Sequence, residues 1–165
     1  MEATVRAATP ADVAPSIELL FQIGAEPDSA LGTLKANPAE LVERLTNWLH
    51  SGEHDVLVAV SGDRLIGSLW LVRDHWVAEI KLNVAADWRD RGVGRALMAA
   101  AEDVARAAGV RKVWLGVYGP NARARALYEH LGYVVEGVQR EQYPRPDAGA
   151  AWDQVFMAKF LDRPA

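Results

Sequence analysis

The chain contains no cysteine, which removes disulfides, zinc ribbons and thiolate nucleophiles together. Any nucleophilic chemistry must use a group other than a thiolate. Positive charge is not in excess either, since 18 Lys and Arg stand against 22 Asp and Glu. That balance lacks the basic footprint of a nucleic-acid-binding protein. No apolar run approaches the roughly 20 residues of a membrane span, and Met1-Glu2-Ala3-Thr4 lacks the basic start and apolar stretch of a signal peptide. The expected location is the cytoplasm. His50 and His54 have the i, i+4 spacing of a helical metal pair, but Gly52 lies between them and no Glu follows His50 directly. They read as two solvent-facing histidines at a helix end, and no metal is expected. Repeats, linkers and low-complexity segments are also missing.

At 165 residues the chain suits one domain spanning 1–165. Thr4 to Ala8 reads as a short strand. Thr9-Pro10-Ala11-Asp12 then signals a helix start, with Thr as N-cap, Pro at N1 and an acid at N3, and that helix is predicted to reach about Ile23. Gly24 to Ala36 reads as a loop, and Asn37-Pro38-Ala39-Glu40 opens a second helix to about Ser51. Asp55 to Val60 and Leu65 to Val72 are strand-like and joined at Ser61-Gly62-Asp63-Arg64, with Trp76 to Val84 as a third strand. Val93, Leu97, Ala101, Val104, Ala105 and Ala108 follow a helical rhythm that stops at Gly109. Lys112 to Tyr118 alternates as a strand, so strand, helix and strand form a parallel crossover. A short helix over Ala122 to Leu131, capped by Gly132, precedes strands at Tyr133 to Arg140 and Trp152 to Leu161. The fold class is therefore α/β (α+β), a mixed, mostly antiparallel sheet flanked by helices.

The segment Leu82-Asn83-Val84-Ala85-Ala86-Asp87-Trp88-Arg89-Asp90-Arg91-Gly92-Val93-Gly94-Arg95 carries the chemistry. An apolar strand runs through a polar turn into a glycine-rich helix start, whose first N–H groups lack intrahelical partners and sit at the positive end of the helix. Glycines at 92 and 94 allow close approach, so a diphosphate fits there. A P-loop is excluded because Gly94 is followed by Arg95 and Ala96, not Lys and Ser/Thr. A Rossmann fingerprint fails too: Leu97 stands where a third small residue belongs, and Trp114 and apolar neighbours stand where a ribose-binding acid is due. What remains resembles the acyl-CoA-binding segment of the GNAT N-acetyltransferase superfamily, matched at Leu82, Val84, Arg89, Gly92 and Gly94. A second segment, Asn121 to Tyr133, resembles that superfamily's Asn-x-x-Ala-x-x-Leu-Tyr-x-x-x-Gly-Phe/Tyr pattern at every fixed position. Ala86 departs from it, standing where many relatives carry Pro. The order β-α-α-β-β-β-α-β-α-β-β is similar to the superfamily's acyl-CoA N-acyltransferase fold.

The resemblance implies an acetyl-CoA-dependent N-acetyltransferase acting by direct transfer in a ternary complex, with acetyl-CoA and an amine as partners. The pantetheine arm would lie along Leu82, Asn83 and Val84, with the Leu82 N–H facing the thioester carbonyl. The diphosphate would sit on the backbone of Asp90, Arg91, Gly92, Val93, Gly94 and Arg95, with Arg89 and Arg91 as charge partners, though both arginines also suit a solvated helix start. Asn121 would bond the pantetheine or cap its own helix. Tyr128 is the implied general acid. For the base, Glu79 lies on the strand carrying the thioester, with Asp153, Glu141, His75 or a water chain as alternatives. The loops Gly24 to Ala36 and Glu141 to Ala151 should shape the acceptor pocket, with Tyr143 and Trp152 lining it. Trp152-Asp153-Gln154-Val155-Phe156-Met157 resembles enzymes acting on small amines, amino acids and amino-acid-like herbicides, which favours a small acceptor. A protein N-terminal or lysine acetyltransferase, and a non-catalytic acyl-CoA-binding module, are the competing readings; a homodimer is left open.

Overall fold

A computed structural model describes residues 2–26, 29, 36–145 and 150–162. Much of the two loops expected to shape an acceptor pocket, at 27–28, 30–35 and 146–149, lies outside the described residues. Seven strands form one sheet in the order β1-β2-β3-β4-β5-β7-β6. They are β1 (Thr4–Ala7), β2 (Asp55–Ser61), β3 (Arg64–Asp74), β4 (Val77–Val84), β5 (Lys112–Tyr118), β6 (Val134–Arg145) and β7 (Ala150–Phe160). Every pairing is antiparallel except β4 with β5. The helices are α1 (Val13–Gly24), α2 (Pro38–Ser51), α3 (Val93–Ala107) and α4 (Ala122–His130).

Alternation along β3 divides the core between the two faces of the sheet. Leu69 and Leu71 join the cluster that holds Val93, Leu97, Met98 and Ala101 of α3, while Trp70 joins Val13, Ile17, Leu41 and Leu45 of α1 and α2. The helices thus sit on opposite faces, as the amphipathic spacing of each requires. Among the described residues no helix is long and apolar enough to cross a membrane.

Local signals hold at most boundaries. Thr9 and Asp12 meet as expected, the Asp12 carboxylate accepting from the Thr9 N–H at 2.7 Å and pairing with Arg6 at 2.7 Å. The Arg6 guanidinium and these hydrogen bonds hold the Asp12 carboxyl at about 2, below its ordinary value. The turn there is a 3₁₀ helix over Pro10–Asp12, and α1 proper begins at Val13. A second 3₁₀ turn at Ala86–Trp88 buries Trp88 where the sequence suggested only a polar turn.

The C-terminal hairpin departs most from expectation. The expected loop Glu141 to Ala151 is largely strand, because β6 continues to Arg145 and β7 starts at Ala150. A bulge makes this possible: the register moves from Gln139 opposite Gln154 to Tyr143 opposite Trp152, with Glu141 at φ 53°. Pro144 is tolerated because β6 is the edge strand, where one N–H side faces away from the ladder.

Candidate active site

The parallel β4–β5 ladder is short. Val77, Ala78 and Glu79 pair with Lys112, Val113 and Trp114, yet β4 continues to Val84 and β5 to Tyr118 without further pairing. The two strands splay apart beyond Glu79. Backbone direction in the gap follows from the neighbouring ladder, since the Ala85 N–H donates to Ile66 O at 2.9 Å in the β3–β4 register. Alternation turns the N–H groups of Leu82 and Val84 away from β3, toward the gap. A cleft of ≈ 1060 Å³ opens there, lined by Leu82, Asn83, Val84, Tyr128 and the start of α3 among others.

At the cradle the two glycines serve different ends. Gly92 is the α3 N-cap at φ 83°, a left-handed conformation that a side chain would strain. Gly94 marks a close approach, because a Cβ there would stand 3.1 Å from Leu127 Cδ2 of α4, which would have to give way. The first bond within α3 runs from the Ala96 N–H to Gly92 O, so Val93, Gly94 and Arg95 present N–H groups with no intrahelical acceptor. Asp90, Gly92, Gly94 and Arg95 line the cleft; Val93 turns into the core. Arg123 and His130, from opposite ends of α4, also line the cleft.

The expected arginines are engaged by the protein itself. Arg89 grips the Glu26 carboxylate with both terminal nitrogens, at 2.8 and 2.6 Å, and its Nε donates to Val84 O at 3.1 Å. It therefore ties residues just after α1 to the end of β4. Arg91 stands over the Trp88 ring at 5.4 Å and is not among the residues lining the cleft.

Asn121 caps α4, its side chain accepting from the Ala124 N–H at 3.2 Å, and also lines the cleft. Tyr128 lies one turn from the end of that helix, and burial, helped by Tyr118, pushes its phenol up to about 12. It therefore stays protonated throughout the neutral range. Tyr133 fixes its position: the Tyr133 N–H donates to Tyr128 O at 3.0 Å, and the two rings meet at 6.0 Å. Tyr133 in turn packs beneath Lys159, which pairs with the buried Glu102 of α3 at 2.7 Å. Burial and Glu102 hold the Tyr133 phenol far above its ordinary value.

Glu79 lines the cleft on the α1–α2 face and pairs with Lys81 at 3.0 Å. Burial, then Tyr118 and Glu79, raise the Tyr143 phenol, so Tyr143 and Glu79 share one environment although 64 positions of sequence separate them. Tyr118 stacks on Trp152 at 5.4 Å and meets Tyr143 edge-on at 6.2 Å. Of the alternative bases, Asp153 accepts from the Glu141 N–H at 2.9 Å, and neither is among the residues lining the cleft. His75 sits in the β3–β4 turn, paired with Asp74 and largely exposed, at the end of β4 away from the gap. His50 and His54 diverge, His50 bonding Thr46 O at 2.7 Å while His54 accepts from the Arg73 N–H at 3.2 Å and packs edge-on against Trp48. Among the described residues no three His, Asp or Glu groups gather as metal ligands.

Glu26, Gly116 and Gln154 also line the cleft; the first falls in the loop and the last in the C-terminal segment that the sequence ties to the acceptor, but no local signal singles out either residue. An isolated glycine inside an alternating strand, as at 116, was the one signal available, since it marks a close approach.

The chain matches the model of the Acetyltransferase (GNAT) family over residues 21–133. It belongs to that family. It is 49% identical over 88 residues to a mycothiol acetyltransferase of Beutenbergia cavernae, covering 52% of this chain and 30% of that protein. Against the [ribosomal protein bS18]-alanine N-acetyltransferase of Escherichia coli it is 39% identical over 75 residues, covering 46% of this chain and 49% of the other. The chain thus spans about half or less of the length of these two curated relatives. A putative acetyltransferase of Salmonella typhimurium, solved with its cofactor acetyl-CoA, superposes with a TM-score of 0.85 at 22% identity, over 99% of this chain and 96% of that one. The splayed strands and glycine-rich helix start of this family member thus sit in a fold it shares with that structure.

Proposed function

We propose that this chain is an N-acetyltransferase that moves an acetyl group from acetyl-CoA to a primary amine of a small molecule or amino acid, directly, within a ternary complex. One observation carries the reading: the open edge of β4 leads straight to the N-terminus of α3, with Tyr128 beside it. Acetyl-CoA has matching parts, an amide-bearing arm for a strand edge and a diphosphate for a helix N-terminus. A structural neighbour solved with acetyl-CoA supports it.

Bound acetyl-CoA supplies the activated acyl group. In this reading Leu82 N–H bonds the thioester oxygen as charge develops on it, a donor worth about 3 kcal/mol. The N–H groups from Asp90 to Arg95 hold the diphosphate, and Asn83, Val84 and Asn121 flank the arm. Tyr128 keeps its proton for the departing sulfur, as its raised pKa favours. Glu79, the candidate base facing the acceptor side, takes the amine proton directly or through water. With no cysteine in the chain, transfer without a covalent enzyme intermediate is the simpler course.

A thiol-release assay with acetyl-CoA and a panel of amines tests this. Release of free CoA, with initial-rate lines that intersect across fixed amine concentrations, is expected. Binding of acetyl-CoA without release would point to a sensing module; parallel lines with an isolable acetyl-enzyme would overturn direct transfer. The bS18-alanine relatives favour a second reading, a peptide α-amine acceptor, so the panel includes an alanine-initiated peptide.

A further inference from the structure

At Gly116 of β5 an added Cβ would overlap a polar side chain, the Gln154 amide nitrogen. The amide carbon lies 3.3 Å from the same point. Gln154 pairs with Tyr118 across the β5–β7 ladder, so Gly116 is its diagonal neighbour on the same face, and the side chain lies flat over the glycine. The Gln154 amide therefore lies over β5 beyond the end of the parallel ladder, where Gly116 and Gln154 both line the cleft. Its face is the one that carries Glu79, and it lines the same cleft as Glu79, Tyr118 and Tyr143. Among the described residues none hydrogen-bonds this amide, although it offers both a donor and an acceptor. α3 and its N-terminal cradle lie on the opposite face of the sheet.

We infer that Gln154 is an acceptor-binding residue, its side-chain amide hydrogen-bonding the incoming amine, and that Gly116 lacks a side chain to leave room for it. The inference rests on the transferase reading above and deepens it by naming the residue that holds the second substrate. A neutral amide fits this task because it can accept from an uncharged amine without favouring its protonated, unreactive form.

The test uses the amine with the highest turnover in the panel. Gln154→Ala is expected to raise the KM for that amine roughly tenfold, the loss of one substrate hydrogen bond, while the Kd for acetyl-CoA moves less than about twofold. Gly116→Ala, which displaces the amide, should raise the same KM, and adding it to Gln154→Ala should do little more, because the group it displaces is gone. An unchanged amine KM in Gln154→Ala overturns the assignment, as does a parallel rise in the acetyl-CoA Kd. If the wild type releases no CoA with any amine, the transferase reading fails first and the inference falls with it.

Discussion

The two walls of the cleft are assembled in opposite ways. The wall proposed to hold the cofactor comes from one continuous segment, from Leu82 on β4 to Gly94 on α3, and its shape follows from one strand, one 3₁₀ turn and one helix start. The wall proposed to face the acceptor gathers Glu26, Glu79, Gly116, Tyr143 and Gln154 from four strands and the residue range just after α1. Local backbone geometry builds the first, and long-range packing builds the second. Arg89 is where they meet, gripping Glu26 with its guanidinium and Val84 O with its Nε.

If the first wall is local, one added side chain should break it. Gly94→Val presses on Leu127 of α4 and crowds the N–H groups proposed to hold the diphosphate. The expected outcome is loss of the thermal shift that acetyl-CoA gives the wild type, equivalent to a Kd weakened by roughly a hundredfold or more, with far-UV circular dichroism retained. Retained stabilisation would mean that the diphosphate sits elsewhere.

Tyr128 stands between the walls, so Tyr128→Phe should injure the chemical step and spare binding. A fall in kcat of roughly a hundredfold with little change in acetyl-CoA Kd is expected. The pH dependence sharpens this. Because the folded phenol titrates at about 12 rather than 10, the unfolded chain loses its Tyr128 proton first, and stability should fall as pH rises from about 10 toward 12. Below pH 10 this group contributes no pH dependence, so an alkaline limb in kcat near neutrality must belong to another group. Equilibrium unfolding at several pH values, wild type against Tyr128→Phe, checks the sign.

Glu79→Gln probes the acceptor wall. With the carboxylate replaced by an isosteric amide that cannot take a proton, kcat should fall by at least about tenfold and acetyl-CoA affinity should hold. Equal rates in mutant and wild type would hand the proton to water.

The smallest effect belongs to the bridge. Glu26→Gln removes one partner of the ion pair and should cost about 1 kcal/mol, since Glu26 is one-third exposed. That corresponds to a Tm lower by roughly 2–4 °C in a domain of this size. A larger drop, with acetyl-CoA Kd rising alongside, would show that the two walls depend on each other through Arg89.

The C-terminal hairpin shows why some of this was not legible in sequence. Glu141 to Ala151 carries Pro144 and a glycine, the composition of a loop, and local signals read it so. An edge strand tolerates Pro, and a bulge at Glu141 absorbs the register change. Only pairing with β7 could keep Tyr143 in the ladder, opposite Trp152 and near Glu79. Arg89 illustrates the converse: its place in the motif was visible, but its partner Glu26 lies 63 positions away.

What the sequence determined by itself is everything set by near neighbours. The absence of cysteine, the strand leading into Gly92 and Gly94, the helix capped by Asn121 and the place of Tyr128 on it depend on residue types a few positions apart, where backbone geometry leaves few choices. Tertiary structure alone decided where the parallel ladder ends, which way the Leu82 N–H points, that Arg89 is held by Glu26, and that Gln154 lies over Gly116. Each of those depends on contacts between distant segments, which periodicity and capping do not encode because chain folding, rather than local conformation, brings the partners together.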